Sequence, residues 1–217
     1  MYTHFFFLEF AFEKAASFPF IRIERRTHQM VGMFFWLCLY TLARAVLGAL
    51  FPRDLRGWPY SSYVVALAHQ IMVLPTLWYR GSVVECLNTS LAYFVSDTVM
   101  NLESFGAPHA VHHGVSIILL VASKNALSHV AQVASTEWLV WLELGSAGIS
   151  LSPLVGGAPR TRAALYGLTR VVTVAKMVHT YSTVTDAALS ACYVISLPLL
   201  LHNAFVFKHM LGKALKS

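Results

Sequence analysis

The chain has 217 residues, 57% of them hydrophobic and 12% charged, with a mean hydropathy of +0.60. Soluble domains run at roughly 45–50% apolar and 25% charged, so an ordinary water-soluble globule is excluded, and 14 Phe, 9 Tyr and 5 Trp exclude a disordered chain. The net charge of +6 arises from basic residues dispersed along the sequence, without a basic stripe or nucleic-acid motif, which removes nucleic acid from the candidate partners.

The apolar residues come in runs rather than strict alternation, which favours membrane-crossing helices over an outer-membrane barrel. The expected fold is all-α, a polytopic transmembrane helical bundle of about seven spans, six being the alternative, preceded by an interfacial helix. In chain order, residues 1–27 carry Glu9, Glu13 and Lys14 among aromatics. They lack the basic region and apolar core of a signal peptide and read as an amphipathic segment at the membrane interface. Residues 28–217 read as the transmembrane domain, with spans at 30–51, 59–79, 83–102, 108–124, 127–152, 161–183 and 186–210. The stretches Gly57 to Tyr79, Ser104 to Ser123 and Ala187 to Phe207 are free of Asp, Glu, Lys and Arg, close to the roughly 20 residues that a bilayer core requires. Cys38, Cys86 and Cys192 sit inside apolar runs without disulfide spacing and read as free thiols.

Short connections make successive spans antiparallel, so the turns sort onto two ends of the bundle. The end holding the turns after spans one, three and five carries seven basic and two acidic residues, and the opposite end six basic and five acidic. The first end is therefore the net-basic face, although the basic residues alone do not orient the chain by the positive-inside rule.

Ionisable residues inside a membrane span are costly and so mark candidate functional sites. On the third span Ser90, Tyr93, Asp97 and Asn101 fall within an arc of about 80° at the helical 100° per residue. On the fourth, His109, His112, His113, Ser116 and Ser123 form a second inward stripe, and on the fifth Glu143, Ser146 and Ser150 form a third beside Gly145 and Gly148. The two glycines are expected to let a neighbouring helix come close. Counting about 1.5 Å per residue from the turns places Asp97 and His113 each roughly 9 Å below the basic face. By the same rise Arg44, His69, Glu143, Arg170, His202 and Asn203 lie roughly 10–15 Å below it. One polar cavity opening toward the basic face would gather them.

Three chemistries suit this set. His109-Ala-Val-His112-His113 has the HxxHH spacing found in membrane di-iron enzymes, but no further histidine box accompanies it. A mononuclear zinc site would use one of those histidines with Asp97. The third is proton transfer, in which His112 or His113, oriented by Asp97, takes a proton from an amine or hydroxyl as an acyl group arrives. Arg170, or arginines at the rim, would hold a phosphate or carboxylate headgroup.

The ordered set of His69, Ser90-Leu-Ala-Tyr-Phe-Val-Ser-Asp97, His112-His113 with Ser116, Glu143-Leu-Gly-Ser146, Arg170 and Leu200-Leu-His-Asn203 resembles the TLC-domain family over residues 69–203. That family includes ceramide synthases and smaller lipid-linked proteins. The resemblance implies an endomembrane helical bundle that handles long acyl chains, with the His pair and Asp at its centre. The second acidic motif of ceramide synthases, HDxxD, is replaced here by Glu137-Trp-Leu-Val-Trp-Leu-Glu143. The chain is thus more similar to the small TLC proteins, for which lipid sensing, remodelling or transport is implied.

The expected site combines His112, His113 and Asp97 for proton transfer with Arg170, Glu143, His69, Ser116 and Asn203 for contact with lipid or its headgroup. No metal and no cofactor is assigned, and acyl-CoA is the candidate co-substrate. Expected partners are membrane lipids, or protein partners if the chain is an accessory subunit of a larger membrane complex. A channel or transporter is a third possibility, disfavoured by the lack of an internal repeat. The endoplasmic reticulum is the location the resemblance implies, with a mitochondrial membrane as the alternative.

Overall fold

The computed structural model describes residues 19–55, 57–104, 106–126, 128–156 and 159–216. The interfacial segment expected at the N-terminus lies outside the described residues up to position 18. Among the described residues the fold is all-α apart from one two-stranded ribbon. Seven helical rods follow in chain order: α1 (Pro19–Leu50), α2, α3 (Val83–Met100), α4 (Ala107–Asn125), α5 (His129–Leu154), α6 (Pro159–Thr183) and α7 (Ala187–Ala214). The second rod, α2, is composite, joining Tyr60–Ala68 to Leu74–Tyr79 through a π-helical turn at His69–Val73.

Local chemistry accounts for the ends of these rods. After α1 the chain meets Pro52 and doubles back through β1 (Asp54–Leu55) and β2 (Trp58–Pro59), an antiparallel pair in which Leu55 faces Trp58. Gly57 between them has φ +81°, a conformation that a Cβ disfavours. Gly81 does the same at the α2–α3 turn, with φ +70°. The Ser128 side chain accepts from the Ala131 N–H at the start of α5, and Asp186 accepts from Leu189 N–H at the start of α7.

The π-turn in α2 has an identifiable cause. Pro75 lacks an N–H, and in a regular helix its ring would crowd the carbonyl four residues back. The turn ahead of it is widened, and Leu74 N–H reaches back to the His69 carbonyl.

The helix α5 stands in the middle of the bundle, packed against α2, α3, α4, α6 and α7. Its small residues permit this. A Cβ at Gly145 would collide with Thr169 Oγ1 and the Arg170 guanidinium, and one at Gly148 would touch Leu165. One apolar core joins α1, α2 and α3 through Tyr40, Leu74, Leu87 and Phe94, and another joins α4, α5, α6 and α7 through Leu119, Trp138, Met177 and Leu199.

The distribution of polarity is the reverse of a water-soluble bundle. Arg44, His69, Asn88, Asp97, His113, Glu143 and Asn203 are buried, whereas Phe34, Phe35, Met72, Val99, Ile118, Leu168, Val171, Leu201 and Phe205 are exposed. Two helical stretches among the described residues are long and apolar enough to cross a membrane by length and composition, Met30–Leu50 and Ala187–Ala214. The other rods do not meet that measure: α2 is divided by its π-turn, and α6 carries Arg170 and Lys176 together with exposed His179 and Ser182.

Candidate functional site

Asp97 is the hub of the first polar cluster. Arg44 from α1 donates to its Oδ1 at 2.8 Å and to the Ser96 hydroxyl at 2.7 Å. Asn101, one turn on, donates to the same Oδ1 at 2.9 Å and accepts from Ser62 of α2 at 2.7 Å. The other carboxylate oxygen, Oδ2, faces His113 Nε2 at 3.5 Å. Helices α1 and α4 thus meet one carboxylate from α3, and α2 reaches it through Asn101.

The imidazole of His113 is fixed from its far side. The Thr98 hydroxyl donates to the Phe94 carbonyl at 2.7 Å, so its oxygen is left to accept from His113 Nδ1–H at 3.0 Å. The proton on Nδ1 leaves Nε2 turned toward Asp97. The expected contact between Asp97 and His113 is therefore present, with Thr98 at the other ring nitrogen and the Phe94 backbone as a further partner, and Arg44 takes the shortest ionic contact of Asp97.

His112, the adjacent residue, points elsewhere. Its ring stacks on His202 of α7 with centroids 5.4 Å apart and lies edge-on to His113 at 5.5 Å. The two consecutive histidines serve different cavities because neighbouring residues diverge by about 100° around a helix. The HxxHH string accordingly does not converge on one point.

The remaining expected residues form satellite clusters. His69 is fully buried in the π-turn, where Tyr40 Oη lies 2.8 Å from its Nδ1, Ser90 Oγ 3.4 Å from Nε2, and the Tyr93 ring stacks on it at 4.4 Å. Glu143 accepts from Gln70 Nε2 at 3.1 Å, and the Gln70 carbonyl accepts from Ser150 at 2.9 Å. Arg170 donates to the Leu142 carbonyl at 2.6 Å and to Ser146 at 3.0 Å, reaches Asn203 Oδ1 at 3.4 Å, and lies over the Tyr166 ring at 3.8 Å. Its two terminal nitrogens are thus engaged within the bundle. Ser116 is buried and lines a small, mainly apolar void with Leu119, Trp138 and Met177, apart from the charged residues.

Two cavities open among these groups. One, of about 150 Å³, is lined by Trp58, Tyr93, Asp97, His109 and His113. The other, of about 360 Å³, is lined by His112, Arg162, Tyr166, His202, Asn203 and Lys213. They share His109, Ile149 and Ser150 at their walls. Arg162 lies in the first turn of α6 and Lys213 in the last turn of α7, so the larger cavity lies toward the net-basic end.

Sequence reasoning placed Arg44 at the right depth without assigning it to the site, and it missed Gln70 and Thr98. Arg44 carried a signal, being a lone cation in an otherwise apolar stretch. Gln70 carried none, because a neutral amide beside a histidine is unremarkable until the π-turn brings both inward. Set against protein-family models, curated proteins and solved structures, the chain matches none.

Proposed function

We propose that the protein is a polytopic membrane protein, with all seven rods crossing the bilayer, that binds long-chain lipid or acyl-CoA in its polar cavity and alters lipid composition by acyl transfer. The observation that carries this reading is the pair of adjoining cavities, which set His113 and Asp97 beside a basic vestibule inside an apolar-surfaced bundle. In the transfer step His113 Nε2 accepts the proton of an attacking hydroxyl or amine as its oxygen or nitrogen bonds to the acyl carbon of the acyl-CoA thioester; the C–S bond breaks, and the imidazolium, stabilised by Asp97, passes the proton to the departing coenzyme thiolate. Thr98 and Arg44 position the imidazole and the carboxylate respectively. Membrane insertion of the rods less apolar than α1 and α7 is supported by exposed large apolar residues on each of them, such as Met72, Val99, Ile118, Val130 and Val171. The resemblance to TLC-domain proteins and an endoplasmic-reticulum location belong to the same proposal.

The competing reading, a non-catalytic subunit of a larger membrane complex, draws on one observation: His69, Glu143 and Arg170 all find partners inside the bundle, as helix-fixing groups do. Lipid profiles of cells expressing His113→Ala and Asp97→Asn variants decide between them. Loss of the wild-type change in lipid composition, with the folded variants at normal abundance, is the expected result. Unchanged profiles, together with copurification of a stoichiometric partner in mild detergent, would refute acyl transfer in favour of the subunit.

A further inference from the structure

We infer that the larger cavity, walled by α4, α5, α6 and α7, seats a phosphate ester, and that Asn203, Arg162 and Lys213 are the groups that hold it. The inference rests on the lipid-binding reading above and names the headgroup chemistry that the same site selects. Three observations point to it.

The first is charge. Among the described residues, Arg162, Lys213 and the four histidines 109, 112, 202 and 209 line this cavity and no Asp or Glu does, whereas the adjoining smaller cavity contains Asp97. An anion is therefore favoured on one side of the shared His109 wall and opposed on the other. The basic lining also continues outward, because His209 and Lys213 belong as well to a surface depression with Lys208 and Lys216.

The second is an open donor. Asn203 is 2% exposed, and its Oδ1 accepts from Tyr166 Oη at 2.6 Å and from Arg170 at 3.4 Å. Those two donors fix which way the amide faces, and its Nδ2 is left buried with no hydrogen-bond partner. A buried N–H₂ without an acceptor is unfavourable unless a ligand supplies one. Arg170 is by this account a positioning residue: it sets the amide of Asn203 rather than touching the headgroup.

The third is the neighbouring imidazole, since His112 Nδ1 is likewise buried without a partner in the same wall. A phosphate supplies several strong acceptor oxygens, enough to meet Asn203 Nδ2, a His112 N–H, and the Arg162 and Lys213 cations together.

The test uses the full chain in maltoside detergent micelles free of phospholipid, loaded with dioleoyl phosphatidic acid in one arm and dioleoylglycerol in another, with retention read by native mass spectrometry. Phosphatidic acid is expected to be retained at least tenfold over dioleoylglycerol. Lys213→Gln and Arg162→Gln are each expected to lower that retention by about tenfold, equivalent to about 1.4 kcal/mol. Asn203→Asp, which keeps the acceptor for Tyr166 and Arg170 but replaces the donor with an anion, should abolish the preference. Displacement of phosphatidic acid by inorganic phosphate would support the anion site and assign it to soluble phosphate, whereas displacement by palmitoyl-CoA alone would support it and assign it to the coenzyme's phosphates. Equal retention of the two lipids, or wild-type preference in all three variants, would overturn the headgroup site while leaving lipid binding intact. Retention of neither lipid would overturn both readings.

Discussion

At the scale of single residues, the bundle is organised by a carboxylate that several helices share. Asp97 is 5% exposed and Arg44 2%, so their ion pair sits where water cannot replace either partner. Removing one member of such a pair leaves an uncompensated buried charge, which costs about 3–5 kcal/mol, whereas removing both charges is much milder. Arg44→Gln alone is therefore expected to destabilise the purified protein severely, and Arg44→Gln with Asp97→Asn to recover most of the loss, as measured by thermal unfolding in detergent. A double variant no more stable than the single one would show that the ion pair is not what couples α1 to α3. Of this arrangement, the sequence displayed Asp97, His113 and their common depth. It did not display the partner, because Arg44 lies 53 residues from Asp97. Nor could it display the role of Thr98, which depends on a hydroxyl committing its only proton to the Phe94 carbonyl.

At the scale of elements, the rods lie where breakers and apolar runs put them, and the departures have local causes. The expected span 59–79 corresponds to the composite α2, and the expected 83–102 to α3 with a following 3₁₀ turn at Leu102–Ser104. The first rod begins at Pro19 rather than near residue 30, since proline suits the first turn of a helix and nothing between it and Met30 breaks the run. The ribbon formed by Asp54–Leu55 and Trp58–Pro59 was not legible, being only two residues per strand. The glycines of α5 were legible as places of close approach, and α6 lies against them.

Two helix starts are also tied to each other. Asp186 caps α7, and the Ser128 hydroxyl, which caps α5, bonds to the same carboxyl; that bond and the Leu189 N–H hold Asp186 below the usual carboxylate range. A carboxyl depressed on folding contributes stability above its unfolded value and loses it as pH falls through the lower, folded one. Acid titration of the wild type should thus lose stability below the ordinary Asp range, about pH 4. Asp186→Asn should flatten that part of the profile, while Asp186→Ala should cost about 1 kcal/mol at neutral pH. An unchanged acid limb in Asp186→Asn would mean that the cap does not titrate with folding.

At the scale of the whole molecule, a polar interior and an apolar exterior lead to a definite topology. If all seven rods cross the bilayer, the turns near Asp54 and the C-terminal Lys216 share one side, and those near Arg80 and Asn125 share the other. Single cysteines introduced in a cysteine-free background, as Asp54→Cys, Lys216→Cys, Arg80→Cys and Asn125→Cys, should label with an impermeant maleimide from opposite sides of sealed vesicles, two and two. If only α1 and α7 cross, Asp54→Cys, Arg80→Cys and Asn125→Cys would label together, and the seven-span arrangement would fail. The sequence conveyed overall hydrophobicity and inward stripes. It could not convey which apolar faces remain uncovered, because that depends on how α5 is surrounded.

His69 and Leu74 are both fully buried, yet five residues along an ordinary helix turn through about 500°, which would set them about 140° apart. They reach the same interior because the Leu74 amide closes onto the His69 carbonyl, so that one surplus residue is absorbed between the two halves of the rod. A helical wheel drawn through Tyr60 to Tyr79 at constant pitch therefore mislabels one half. Excising a single residue between His69 and Val73 would place Leu74 four residues after His69, about 40° away on an ordinary helix, so Leu77 and Trp78 would keep their place on the core face. What the excision would remove is the wide turn, pressing the Pro75 ring against the carbonyl four residues back.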